Sequence, residues 1–370
     1  MAMMKAARLH EFSAPLRIEQ LPIPQPGDND VQVRVHACGI VPNLANILAN
    51  LTKWFPALVM PPLPAVYGLD PAGEVTAVGS HVHAWKTGDR VYVNPGRICG
   101  GCRACRNNDS INCEAFALGG YLGSSARSLG LFANYPYGGL CEYMVAPQYA
   151  LVKLPDNVTY NQGARLGYLG TMYSAMRKGE VGPGSSVLVN GISGTLGIGG
   201  ALLGLAMGAT RIFGTARNRE LLDRVKALCP GRIEVFSTAG GGESIDSWVK
   251  SRTGGRGVDV FIDALGPGAP HEPLQQGMRA LKRGGRGYNI GAVGGLVGMD
   301  LHNMMDNGQA MEGSCWFTAG EGQDMADMAE AGTLDLSVFE HVACPLDRVN
   351  EAISGMAGRN GGFSNFVINP

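Results

Sequence analysis

Ser185-Ser186-Val187-Leu188-Val189-Asn190-Gly191-Ile192-Ser193-Gly194-Thr195-Leu196-Gly197-Ile198-Gly199-Gly200-Ala201-Leu202-Leu203-Gly204-Leu205-Ala206-Met207, followed by Arg211-Ile212-Phe213-Gly214-Thr215-Ala216-Arg217-Asn218-Arg219, decides how the chain reads. Val187-Leu188-Val189 is a short β-branched apolar run, as in a buried parallel strand. A glycine loop follows at once, then a small, apolar helix that packs closely on a sheet, then a second strand. Strand, loop, helix and strand within about 30 residues make a dinucleotide-binding unit. The glycines let backbone approach a pyrophosphate, and the helix start offers free N–H groups and a positive dipole end. The spacing is G-x-x-G-x-x-G, with Ile192 where the stricter motif has a glycine. The readings for cofactor contact are Gly191, Ser193, Gly194, Thr195, Leu196, Gly197 and Thr215.

Beyond Thr215, Ala216 stands where an acid would meet a ribose 2′-hydroxyl. Arg217 and Arg219 follow, and planar guanidiniums suit a 2′-phosphate. The expected cofactor is therefore NADP(H). Gly257 to Asp263 reads as another buried strand, with Asp263 ordering a loop. Gly284 to Gly291 resembles the strand and loop that lie beside the nicotinamide in a dehydrogenase family, and the resemblance implies Asn289 and Gly291 as contacts. This part, residues 169–315, is expected to be a doubly wound parallel sheet.

Working outward, residues 1–168 read as β-rich. Lys5–Leu9 and Leu16–Glu19 form a hairpin, and Val31–Ala37 alternates as a half-buried strand. Short strands at Gly68–Val78 and Arg90–Val93 predict a barrel-like domain. Cys99, Cys102, Cys105 and Cys113 stand in C-x2-C-x2-C-x7-C. Four thiolates at this spacing wrap a tetrahedral Zn2+ with no position left for water, which is structural chemistry. The C-terminal segment, 316–370, predicts a helix over Asp324–Ala331, another over Leu346–Met356 and a final strand over Phe363–Ile368.

A formal net charge of −1 gives no electrostatic reason to expect nucleic acid or an anionic membrane as partner. No apolar run approaches the roughly 18 residues of a membrane span, and Met1-Ala2-Met3-Met4-Lys5 does not read as a signal peptide. Five cysteines outside the cluster, Cys38, Cys141, Cys229, Cys315 and Cys344, have no regular spacing, as in a reducing compartment. A cytoplasmic location is expected.

The order of these parts resembles the medium-chain dehydrogenase/reductase superfamily, which includes the zinc alcohol dehydrogenases. The stretches that carry the resemblance are Ala37-Cys38-Gly39-Ile40, Gly68-Leu69-Asp70-Pro71-Ala72-Gly73-Glu74-Val75, Lys86-Thr87-Gly88-Asp89-Arg90-Val91, the cysteine lobe and Gly138-Gly139-Leu140-Cys141-Glu142-Tyr143. It implies an α/β chain with a GroES-like β-barrel catalytic domain (residues 1–168 and 316–370, with a structural-zinc lobe at about 95–115) and a Rossmann cofactor domain (169–315). It also implies a homodimer or homotetramer, paired through the strand in Gln309–Phe317.

The departures from the family bear on the chemistry. The three positions that ligate catalytic zinc in the zinc enzymes are here Val41, Leu69 and Gly167, none of which can bind a cation. Asp70 is the acidic neighbour of that site, and Asn43 stands at the family's proton-relay hydroxyl. His36 and Cys38 share a face of an alternating strand and are expected to be a buried, satisfied pair, with a reinvented ligand set as the alternative. Tyr121, Tyr135 and Tyr137 follow the cysteine lobe, in a cleft lining or a surface loop. Relatives carry Lys or Arg near Asn365, reaching the pyrophosphate, and its absence leaves that charge unaccounted for.

The resemblance implies hydride transfer to or from a carbonyl, an alcohol or a conjugated enone without a catalytic zinc. The candidate donors to the substrate oxygen are the Asn43 amide, the Tyr168 hydroxyl and the Thr171 hydroxyl, with Thr171 read chiefly as a cofactor contact. Two other readings stand beside this one: a zinc enzyme with rearranged ligands, and an NADPH-binding protein without turnover.

Overall fold

A computed structural model describes residues 2–42, 44–240 and 242–370. The glycine-loop region forms the centre of a parallel sheet. Among the described residues its six strands run in the order Ile233–Ser237, Arg211–Ala216, Ser186–Asn190, Val258–Asp263, Leu281–Asn289 and Ala310–Gly313. The chain order reverses beside Ser186–Asn190, the switch point where such sheets bind ligands at their carboxyl ends. Strand alternation supplies two cores. Leu188, Phe213 and Phe261 face one side and meet Trp248 of the helix Ile245–Arg252, with Phe213 and Trp248 edge to face at 5.5 Å. Val187, Val189 and Ile212 face the other side and join the core that runs on into the barrel.

The barrel sheet has the order Leu151–Lys153, Arg90–Val93, Asp70–Val78, Asp30–Gly39, Ser364–Asn369 and Glu340–Pro345, with Tyr143–Pro147 also paired to Asp30–Gly39. The C-terminal segment thus returns into the first sheet: Val367 pairs with Gly39 and Ile368 with Cys38, antiparallel. GroES-like barrel and Rossmann sheet are the architecture that the sequence implies. The expected division at residues 168 and 169 falls inside one continuous helix, Leu166–Lys178.

Two element boundaries differ from the sequence reading. The helix expected from Asp324 starts at Ala319, because Thr318 and Glu321 close a reciprocal capping box one turn earlier. The helix expected over Leu346–Met356 is a 3-10 turn, the short helix Val349–Gly355 and a second 3-10 turn. No described helix is long and apolar enough to cross a membrane.

Candidate active site and metal centre

The cofactor loop is held by its own backbone. The Gly191 and Ile192 amides both donate to the Thr215 carbonyl, at 2.8 and 3.0 Å, and Gly194 donates back to the Gly191 carbonyl at 2.8 Å. A side chain at Gly197 would begin 2.0 Å from the Gly191 oxygen, so the turn closes only over glycine. Beneath it, the Thr215 hydroxyl donates to Asn190 Oδ1 at 2.8 Å and Asn190 Nδ2 donates to Asp263 at 3.1 Å. The Thr215 hydroxyl therefore braces the loop from below, as Asp263 does. Burial raises the Asp263 pKa to about 6.

At the sheet's carboxyl edge, the helix Ile198–Ala206 begins directly after the loop, and its Ile198, Gly199 and Gly200 amides donate to the loop carbonyls of Gly194, Leu196 and Gly197 at 2.9, 3.2 and 2.8 Å. Ser193, Gly194, Thr195 and Leu196 make the rim of this cradle. Asn289 Oδ1 accepts from the Gly291 amide at 3.2 Å, shaping the neighbouring loop. Arg217 and Arg219 are exposed just past Ala216, and neither forms an ion pair among the described residues. The Asn218 side chain between them caps the next helix at Leu221 N, 3.1 Å away. A glycine cradle at a helix start, with exposed guanidiniums beside it, fits a dinucleotide.

The barrel side of the cleft contains Val41, Leu69 and Gly167, the positions that the sequence reading compares with zinc ligands. Val41 and Leu69 are buried. A side chain at Gly167 would begin 1.8 Å from Asp70 Oδ1, so the carboxylate occupies the space that a third ligand would need. Asp70 is fully buried; its Oδ1 accepts from the Tyr92 hydroxyl at 3.0 Å and its Oδ2 has no partner. Burial raises its pKa to about 7, opposed by the Tyr92 hydrogen bond and by Arg165. The Cys38 thiol is held well above its usual pKa, first by burial and then by Asp70.

Tyr168 lies on the same helix. Burial, then Tyr121 and Asp70, hold its phenol protonated. The Thr171 hydroxyl donates to the Gly167 carbonyl one turn back, at 3.2 Å, and the residue is buried. Asn43 lies outside the described residues.

His36 and Cys38 do not form the expected buried pair. The strand pairing slips between Val35 and Ala37, which breaks the alternation that would put both on one face. His36 stacks on Tyr160 at 4.6 Å, with Arg90 over the same ring at 4.8 Å. Cys38 turns inward towards Asp70 and Gly139. The tyrosines after the cysteine lobe also separate: Tyr121 is buried towards Asp70, whereas Tyr135 donates to Asp30 at 2.9 Å under the stacked Arg97.

Cys99, Cys102, Cys105 and Cys113 place their Sγ atoms within 4.8 Å of one another. A tetrahedral Zn2+ with Zn–S near 2.3 Å needs sulfurs about 3.8 Å apart, so the set fits. Cys113 Sγ accepts from the Cys99 and Ala115 amides at 3.3 and 3.4 Å, and the Cys105 amide draws the Cys102 thiol down to about 7. These are bonds that stabilise thiolates. Among the described residues this is the one such group of three or more metal-ligand side chains.

Two family models match the chain: the alcohol dehydrogenase GroES-like domain over residues 27–156 and the zinc-binding dehydrogenase over residues 195–331. The chain belongs to the medium-chain dehydrogenase/reductase superfamily. Similar members include an NAD-dependent alcohol dehydrogenase of Sulfolobus acidocaldarius, 27% identical over 95% of this chain and 96% of that one. A human quinone oxidoreductase is 27% identical over 99% and 98%. The crystal structure of AibC superposes with a TM-score of 0.84 at 27% identity, covering 100% of this chain and 96% of that one.

Four residues in this medium-chain dehydrogenase/reductase cleft escaped the sequence reading: Tyr92, Arg165, His341 and Arg359. Tyr92 sits in a strand that reads only as core. Arg165 stands two residues before Gly167, and Arg359 lies in Gly358-Arg359-Asn360-Gly361-Gly362, six residues before the Asn365 position. An arginine in a glycine-rich stretch beside the missing cation was the available signal.

Asp70 sets a pH dependence. Its folded pKa lies above the ordinary carboxylate value, so between about pH 4 and 7 the folded chain holds a proton that the unfolded chain has released. Stability falls as pH rises through that window and levels off above it. Asp70→Asn keeps an acceptor for Tyr92 and has no charge to bury. Its stability relative to the parent should rise across the window by up to roughly 1.4 kcal/mol per pH unit. Denaturation series at several pH values check this, and equal slopes for both proteins would contradict it.

Proposed function

We propose that the chain is an NADP(H)-dependent oxidoreductase that moves hydride to or from a carbonyl, alcohol or conjugated enone, with no metal ion at the nicotinamide and one structural Zn2+ in the cysteine lobe. The observation that carries the metal-free reading is the Asp70 carboxylate against Gly167. With Val41 and Leu69 beside it, the pocket offers one carboxylate and the Cys38 thiol where a catalytic zinc needs three protein ligands. The family and the names of its relatives, alcohol dehydrogenase and quinone oxidoreductase, support the reaction class. Ala216 with Arg217 and Arg219 supports the 2′-phosphate. The Sulfolobus relative is named for NAD, which makes cofactor choice the first thing to measure.

The bound nicotinamide supplies or accepts the hydride. The chain's own task is to stabilise negative charge on the substrate oxygen with preorganised donors. The Tyr168 phenol, held protonated, is a donor at the cleft. Asn43 stays a candidate from its place in the sequence. Asp70, with its pKa near neutral, orders Tyr92 and biases the pocket against a second negative charge. Thr171 and the loop residues orient the cofactor. Around the lobe, Zn2+ fixes a loop whose own sheet consists of two-residue strands.

For assembly, the reading is a homodimer or a homotetramer. Among the described residues, Ala310–Gly313 pairs on one side only, with Leu281–Asn289. Leu296, Leu301 and Met305 are exposed in the segment that precedes it. An isologous contact between two such edges would cover both features. Light scattering should give at least twice the chain mass at micromolar concentration, and a monomer mass would remove this reading.

Cofactor choice is tested by titration. NADPH should bind more tightly than NADH, and Arg217→Ala should reduce that preference by roughly 10- to 100-fold. Equal affinities in the parent protein would reject NADP(H).

The metal reading is tested by analysis and by chelation. Purified protein should contain about one zinc per chain, consistent with the single closed four-thiolate site. A brief chelator treatment that leaves the lobe zinc bound should leave turnover intact. If activity falls at once and added zinc restores it, an open catalytic ion exists and the reading fails.

A further inference from the structure

Trp316 lies in the left-handed backbone region, at φ 63°, and is buried. A bulky L residue there has its Cβ pressed against its own backbone, a strain that persists where the surroundings over-determine it. Those surroundings centre on Asn94, which is 2% exposed. Its Oδ1 accepts from Trp316 Nε1 at 2.9 Å and from the Gly96 amide at 2.8 Å, and its Nδ2 donates to the Phe317 carbonyl at 3.1 Å. An oxygen that faces two N–H donors and a nitrogen that faces a carbonyl fix one orientation of the amide. A single barrel side chain thus grips the indole of the strained residue and the carbonyl of the next.

The segment Ser314–Phe317 touches three parts of the cleft. The Ser314 amide donates to the Asn289 carbonyl at 3.0 Å, and the Ser314 hydroxyl accepts from Lys178 Nζ at 2.9 Å. Asn289 is the residue that the sequence reading sets beside the nicotinamide. Phe317 rests on the helix Leu166–Lys178: a side chain at Gly170 would begin 2.3 Å from its ring, and Gly170 stands between Tyr168 and Thr171. On its other side the Tyr92 ring lies nearly parallel at 6.4 Å, and the Tyr92 hydroxyl donates to Asp70 at 3.0 Å. A four-residue wall therefore runs from the nicotinamide end of the Rossmann sheet to the Asp70 pocket, and its course is set by the turn at Trp316. A relaxed φ at Trp316 would redirect the chain on one side of the turn, taking Ser314 from Asn289 or Phe317 from Gly170.

We infer that Asn94 is a positioning residue for the nicotinamide end of the cofactor: it locks the strained turn at Trp316 and so holds the wall Ser314–Phe317 against the site of hydride transfer. The inference rests on the dinucleotide reading above and not on the choice between NADP(H) and NAD(H). Asn94 touches neither cofactor nor substrate and acts through the wall. In the proposed reaction the dihydronicotinamide gives a hydride to the electrophilic carbon, and a donor in the cleft gives the proton. The distance over which that hydride passes is what a misplaced wall would spoil.

The test compares the two ends of the cofactor. Asn94→Ala should weaken NADPH by roughly tenfold and leave 2′-phosphoadenosine, which has no nicotinamide, bound as in the parent. Trp316→Phe retains a ring and loses only the indole N–H, so it should show the same pattern to a smaller degree, even where Asn94→Ala folds poorly. The second readout is the rate constant of a single turnover of bound NADPH with benzaldehyde or cyclohex-2-enone, which should fall by roughly 10- to 100-fold in Asn94→Ala with its amplitude retained. Partial misfolding would instead reduce the amplitude at an unchanged rate constant. Because the two residues share one bond, the double variant should be no slower than Asn94→Ala. The inference is overturned if Asn94→Ala binds NADPH within about twofold of the parent, if 2′-phosphoadenosine loses as much affinity as NADPH, or if the two substitutions act additively. If the parent prefers NADH, the same comparison is made between NADH and AMP, and the NADP(H) reading fails while the lock is still tested. If the parent reduces neither carbonyl compound, that result counts against the proposed reaction, and the binding comparison alone decides on Asn94.

Discussion

The hydrogen bond from the Gly362 amide to the Ser193 carbonyl, 2.8 Å long, joins the last segment of the chain to the centre of the Rossmann sheet. A few residues later the same segment becomes the strand Ser364–Asn369, which pairs with Asp30–Gly39 in the barrel. One short stretch thus touches both folding units, and the cleft between them has a fixed shape because of it. Arg165 adds a second tie, from the helix Leu166–Lys178 region to the Gly362 carbonyl. Without these links the glycine loop would still form, since its bonds are local, but it would have no wall facing it.

The electrostatics of that cleft follow from what the wall contains. Asp70 is buried with only one of its oxygens paired, and its pKa moves to about 7 for lack of compensation. A metal ion would supply strong compensation, but the neighbouring side chains offer valine, leucine and no side chain at all. The pocket balances its charge through protonation and through distant guanidiniums. In the proposed metal-free reaction, this field, softer than that of a divalent ion, would leave the polarising of a substrate to hydroxyl and amide donors.

What could be read in the sequence was what is encoded locally. The glycine loop, its flanking strands and the four cysteines each sit within a few tens of residues, so spacing alone carries their geometry. Residue identity at Val41, Leu69 and Gly167 was legible too, and valine, leucine and glycine side chains cannot coordinate a cation. Contacts distant in sequence were not legible. Arg359 meets Thr195 across 164 positions and Arg165 meets Gly362 across 197, and no periodicity announces either. His36 and Cys38 went astray for a different reason: a slip in strand pairing between Val35 and Ala37 depends on the partner strand, not on the alternating run itself. The start of the helix at Ala319 was legible in Thr318 and Glu321, the two partners of its capping box.

The unbroken helix Leu166–Lys178 has a mechanical consequence. Its first turn places Gly167 against Asp70 in the barrel, its middle carries Gly170 under the Phe317 ring, and its end ties Tyr173 and Arg177 to Asp324 at 3.1 Å each. With no glycine–proline break or bulge between these points, the helix behaves as a single rod. A tilt of this rod that widened the mouth of the cleft would also lift its floor, so any opening strong enough to break the ties at Gly362 would loosen the Asp70 pocket with it.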